Sequence, residues 1–342
     1  MDQVNLHIAI REGKLGEVPA GRLTIENLTA PNAAGNTPLH TAARYGRLRD
    51  LPATVLVPEY LLRRNESGYT ALHHAAESGH LEQLPPALLT REHLLTRSNN
   101  GYTVFHVAAA HGHLDQLPAG ALTDDIVVLK TELGNTLLHE AAENGTLDRI
   151  PPAFLTPTLL AGHNISGETT YHVAALNGHL DQISPHLLTR ENLLLRTTAG
   201  DTVLHAAAIS GHLDQIPPGE LVQDNLIIPS KSGYTPIHAA AETGQLDKIP
   251  LDQFSFDLLV TRNDHGDTPV HAAAFSGHLG QIPADLLTAE LLNIRNYDGI
   301  TPVRTAERSG FVGQLPPLFR PKPAGFVRRL LRRVGDTQVP WG

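Results

Sequence analysis

The chain has 342 residues, with 26 Lys or Arg against 35 Asp or Glu, no cysteine and only 5% aromatic residues. Without cysteine there is no disulfide framework, no thiolate metal site and no cysteine nucleophile, which suits a cytoplasmic protein. The net charge of −9 is unevenly placed: residues 318–342 hold six basic residues and one acidic (+5), so the remainder, with 20 basic and 34 acidic, carries −14, a poor balance for wrapping nucleic acid.

In chain order, Met1 is followed by Asp2 with no basic or apolar leader, and no run approaches 18 apolar residues. Neither a secretory signal nor a membrane span is expected. The segment GNTPLHTAARYGRLRDLP at residues 35–52 then sets a pattern. It returns at Gly68, Gly101, Gly134, Gly167, Gly200, Gly233, Gly266 and Gly299, always 33 residues on, without insertion or deletion. A fixed period of this size marks stacked repeats and argues for one elongated domain, not the two or three that length alone suggests. Leu6-His7, Gly13 and Pro19 stand 33 residues before Leu39-His40, Gly46 and Pro52. Residues 1–34 therefore read as a degenerate N-terminal capping repeat, and residues 35–317 as nine fuller ones.

Within a repeat, Thr37 suits an N-cap and Pro38 the first helical position, where a missing N–H costs nothing. Leu39, Ala42, Ala43 and Gly46 then share one helical face of small residues, with Thr41, Arg44 and Tyr45 on the other. Gly46 and its equivalents from Gly79 to Gly310 suit a left-handed stop. A second short helix follows, as in LRDLP, ended by Pro in every repeat but one, where Ser184 takes the place. A third helix of one or two turns is clearest at residues 187–196, with Thr189 as N-cap and Glu191 in the first turn. After Pro317 the pattern stops. A Pro-rich linker leads to FVRRLLRRV, whose spacing predicts a short amphipathic helix.

The motif G-x-T-P-L-H-x-A-A-x-x-G-H-L, nine times in phase, resembles the ankyrin repeat, over residues 3–317. The resemblance implies an all-α, ankyrin-like repeat solenoid of about ten helix-turn-helix units, each here with an extra short third helical turn. The usual second helix runs on through a Leu-Leu pair, whereas Pro cuts it here, so the convex face should depart from the family pattern.

Twenty histidines raise a metal hypothesis, but His40, His73, His106, His139, His172, His205, His238 and His271 recur once per layer. Layers about 10 Å apart cannot share an ion whose ligands sit about 2 Å away. The resemblance implies that this His bonds to the turn of an adjoining repeat. His80, His113, His179, His212 and His278 are equally part of the repeat. The aspartates Asp115, Asp148, Asp181, Asp214 and Asp247 suit helix N-termini. No catalytic residue, metal, cofactor or small-molecule substrate is expected.

The resemblance implies a non-catalytic scaffold that binds another protein in the concave groove lined by first helices and turn tips. The candidates are Tyr45, Tyr69, Tyr102, Val107, His111, Val173, Leu176, Ile209, Tyr234 and Phe275. Exposed apolar patches mark interaction sites, and aromatic anchors dominate them. Use as a delivered effector is compatible with the family. Three readings of the tail stay open: it caps the last repeat, it binds an acidic partner such as nucleic acid, or it touches an anionic membrane through Arg328, Arg329, Arg332 and Arg333.

Overall fold

A computed structural model describes residues 5–320; the tail readings, with Arg328, Arg329, Arg332 and Arg333, lie outside the described residues. The secondary structure described is helical, apart from two isolated bridges, His163–Thr169 and Arg196–Thr202. The chain divides into two compact units, Met1–Pro217 and Pro218–Gly342, a division the period alone does not reveal.

Each repeat opens with a helix of six to eight residues, such as Leu6–Arg11, Pro38–Arg44 or Ala71–Ser78. In the first unit these helices pack in succession from Leu6–Arg11 to Val203–Ser210. In the second, Pro236–Thr243 packs on Pro269–Ser276 and that on Pro302–Ser309. Alanines at the contact, such as Ala42, Ala43, Ala75 and Ala76, are fully buried, so the helices approach closely and bury mostly backbone and methyl surface.

The second short helix is a single 3-10 turn. Leu48–Asp50 makes the bonds Asp50 N–H to Arg47 O and Leu51 N–H to Leu48 O, both 3.1 Å. Pro52 favours this path. A residue before proline is pushed out of the helical region, and Leu51 is extended (φ −95°, ψ 154°), which leaves too few residues for an α-turn. In most repeats a second 3-10 turn follows the Pro, as at Ala53–Val55 and Pro86–Leu88. Ser184 holds φ −56° and ψ 132°, nearly the values of Pro52, so the backbone path survives the exchange. The third element is a one-turn α-helix. Arg190–Leu193 is capped by Thr189, whose hydroxyl accepts the Asn192 N–H at 3.4 Å.

One leucine column from each element forms the core. Leu39, Leu48 and Leu61 are fully buried, as are Leu72, Leu81 and Leu94 one repeat on. Burying each such side chain contributes roughly 1.5–3 kcal/mol. No single layer has a core of its own, so stability comes from stacking.

Candidate functional site

The repeat histidine sits three residues after the N-cap threonine, and its ring is claimed on both sides. At His40, Nδ1 faces the Thr37 backbone N–H (3.1 Å) and hydroxyl (2.9 Å). A backbone N–H can only donate, so Nδ1 accepts. On the other side Nε2 faces the Arg63 and Tyr69 carbonyls at 3.0 and 3.2 Å, so it carries the proton and donates. The ring is thus neutral and ties its helix to the next repeat's turn. The same link joins His73 to Tyr102 O, His139 to Glu168 O, His172 to Asp201 O and, in the second unit, His271 to Ile300 O. Burial drives the pKa of His40, His73, His106 and His139 down to about 4. This row frames the repeat, as the resemblance implied.

The second histidine row does a related job. Gly79 ends its helix in the left-handed region (φ 73°), and a Cβ there would lie 2.8 Å from His113 Nε2. His113 Nδ1 in turn bonds the Ala76 carbonyl at 2.8 Å. Gly79 is therefore needed twice, for its φ and for the close ring. Beside the histidine stands a residue that the sequence analysis passed over. Gln116 accepts the Leu81 N–H at 3.0 Å and donates to Gly79 O at 2.9 Å, clipping two repeats together. Gln182 repeats this on Leu147 and Gly145, and Gln281 on Leu246 and Gly244. The signal was the Gln recurring two residues after the buried Leu, as at Gln116, Gln182 and Gln281; its partners lie 35 and 37 residues away, where local reading does not look. Consecutive turn tips are also joined, as by Ile165 N–H to Leu133 O at 3.1 Å.

The variable positions sort into three columns of period 33. The column of Thr41, His74, Val107, Glu140 and Val173 is the seam between neighbouring first helices. Val107 and Val173 are only 3% and 8% exposed. Both were expected to face a partner; Val173 instead fills that seam, which is a correction, and Val107, though buried, still borders the cavity of the groove. Glu140 is buried in the same column, taking the Tyr102 hydroxyl at 3.1 Å and the Asn135 amide at 3.0 Å. Burial pushes its carboxyl above the usual range. Tyr102 is thus half-buried and engaged, and Tyr69 is half-buried beside His73 and His74.

The column of Tyr45 and His111 is exposed at those two positions. Elsewhere it holds short polar groups, several of which bond their own helix, such as Asn144 to Glu140 O and Asn177 to Val173 O, both at 2.9 Å.

The third column is Arg44, Glu77, Ala110, Glu143, Leu176 and Ile209 in the first unit. Arg44 donates to Glu77 at 3.0 Å, and the other oxygen of Glu77 accepts from His74 Nδ1, also at 3.0 Å. That bond, more than the nearby charges, holds the Glu77 carboxyl below its ordinary range. These side chains and the turn residues Asn65, Ser67 and Tyr69 line one cavity of about 290 Å3, so turn tips and this column border the same groove. Farther along, Leu176 and Ile209 are 36% and 50% exposed, on helices packed side by side. On the turn tips of the preceding repeats, Leu133 and Ile165 are 59% and 66% exposed. They occupy the repeat positions of Ser67 and Glu66. Sequence reasoning missed them, though both are bulky apolar residues at tips otherwise mostly polar.

In the second unit, Tyr234 donates its hydroxyl to Glu242, and Phe275 is exposed. Both line a cavity of about 490 Å3 there.

Repeated helix–turn units that each bury their face only against a neighbour define a helical repeat protein. The family model for ankyrin repeats matches residues 6–84, 53–119 and 171–251, more than half of the chain. The chain belongs to the ankyrin repeat family. No curated protein matches it. Ankyrin repeats are generally modules that bind other proteins and are typically non-catalytic. Among the described residues, no helix is long and apolar enough to cross a membrane.

Proposed function

We propose that this chain is a non-catalytic binding scaffold that holds one partner protein on the groove of its first unit. Residues 1–34 serve as the cap of that unit. The contact centres on Leu176 and Ile209 on the helices, with Leu133 and Ile165 at the turn tips. One observation carries this reading: four exposed aliphatic side chains, one in each of four consecutive repeats, fall between residues 133 and 209, at positions where the same frame elsewhere holds Arg44, Glu77, Ser67 and Glu66. The fold tolerates polar residues there, so their apolar character calls for another explanation, and a partner's surface supplies it. Tyr45 and His111 extend the surface as polar rim.

The test is affinity capture from the source lysate with the intact chain, its Leu176→Asp/Ile209→Asp variant, and residues 1–317, with nuclease present. Retention of one protein by the intact chain and by residues 1–317, but not by the Asp variant, supports the groove. Capture that needs residues 318–342 and falls steeply with salt would move the activity to the basic tail.

A further inference from the structure

The cavity of the second unit is acidic: Glu242 already accepts the Tyr234 hydroxyl and Asp267 the Asn296 amide at 2.8 Å, but neither donor carries charge. Its walls carry the aromatic ring of Phe275, 62% exposed, and the side chain of Ile300. Around them stand the carboxylates of Glu242, Asp267 and Asp298 against one guanidinium, Arg308. Three anionic groups and an uncovered ring suit a segment that is basic and apolar at once. A single acidic or purely aliphatic partner would leave either the charge or the ring unmatched.

The sequence of the same chain holds such a segment. Residues 326–334 place Phe326, Leu330 and Leu331 among Arg328, Arg329, Arg332 and Arg333, within a C-terminal stretch of net charge +5. Register supplies the reach. In the repeat before it, the turn residues Asn296, Asp298 and Ile300 line the cavity 13 to 17 residues after Pro283. Pro316 stands 33 residues after Pro283, so residues 329–333 lie the same number of residues beyond it. An extended chain of that length covers about 45 Å, against about 10 Å for one repeat step.

We propose that the cavity of the second unit is the docking site of the chain's own residues 326–334. The arginines meet Glu242, Asp267 and Asp298, and the apolar side chains cover Phe275 and Ile300. A partner seeking this cavity must then displace the tail. The assignment rests on the second unit's chemistry and does not depend on what the first unit binds.

Trypsin tests it on the full chain. Arg320 and Lys322 both precede proline, so cleavage within the tail starts at Arg328. Phe275→Ser and, separately, Glu242→Gln/Asp298→Asn should each speed that cleavage about tenfold, equivalent to ~1.4 kcal/mol of lost docking. About 0.5 M salt should do the same to the unaltered chain. Glu92→Gln, an exposed carboxylate of the first unit, should leave the rate unchanged. Circular dichroism identifies any variant that has unfolded, and the charge variant stands if the Phe275 variant fails. Trp341, the one tryptophan, gives a second readout, since its fluorescence anisotropy should fall in both variants. Cleavage of the unaltered chain as fast as that of a synthetic peptide of residues 321–342 would overturn the proposal. So would rates indifferent to both variants. Protection that weakens on dilution would overturn it in favour of a second copy's tail.

Discussion

Positions 44 and 77 and positions 176 and 209 are the same site of the repeat, yet they behave differently. Arg44 and Glu77 satisfy each other at 3.0 Å, with His74 completing the set. Leu176 and Ile209 stand on equally regular helices with their aliphatic surface exposed. The backbone frame is indifferent to the residue placed here: its bonds come from the histidine rows, the capping glycines and the glutamine clips. The difference between the two stretches therefore reflects what each surface can do. The first is closed by internal pairing; on the function proposed above, the second is the surface left for an apolar partner.

The largest effect should come from the apolar stretch. Charging both Leu176 and Ile209 as Asp should weaken the captured partner's binding by about 100-fold or more, since central anchors commonly cost 2 kcal/mol or more each. Titration calorimetry would show it, with the melting temperature nearly unchanged because both side chains are exposed. A loss below fivefold would remove these residues from the interface.

Acid should act on the shared frame and so on both stretches alike. His40, His73, His106 and His139 are neutral in the fold, with pKa lowered from 6.5 to about 4. The unfolded chain takes up protons first as pH falls. Their contribution is thus complete above pH 6.5 and drains away on descent toward pH 4, on the order of 3 kcal/mol per histidine. Urea midpoints at pH 7, 5.5 and 4.5 should fall steadily. A flat profile would mean that the rings are not held neutral.

A smaller loss should follow from Gln182→Ala. It removes bonds of 2.9 Å from the Leu147 N–H and 2.8 Å to Gly145 O and should cost about 1–2 kcal/mol in urea unfolding. Smallest of all, Arg44→Ala should change stability by less than about 1 kcal/mol, because the pair is half-exposed. It should also leave partner binding within about threefold. A large binding loss there would erase the contrast between the stretches.

Much of this was legible in the sequence. The period located every first helix, Gly79 and Thr189 do what their neighbours in sequence suggested, and His40 does what the resemblance implied. The rest depended on facts that a linear pattern does not carry. Gln116 acts through partners 35 and 37 residues away. Val107 and Val173 share a helix face with exposed positions by spacing alone, but the next helix covers them. Leu48–Asp50 is a 3-10 turn because Leu51 is extended, a path that Pro52 favours and that the repeat with Ser184 keeps. Leu133 and Ile165 carry no motif; only their exposure distinguishes them.

The most direct test of the open-surface account is hydrogen–deuterium exchange of the intact chain with and without its captured partner. The account predicts slowed exchange in Thr170–Asn177, Val203–Ser210 and the tips around Leu133 and Ile165, with little change in Pro38–Arg44. Protection centred on Pro38–Arg44 and Ala71–Ser78, with the later helices unaffected, would contradict it.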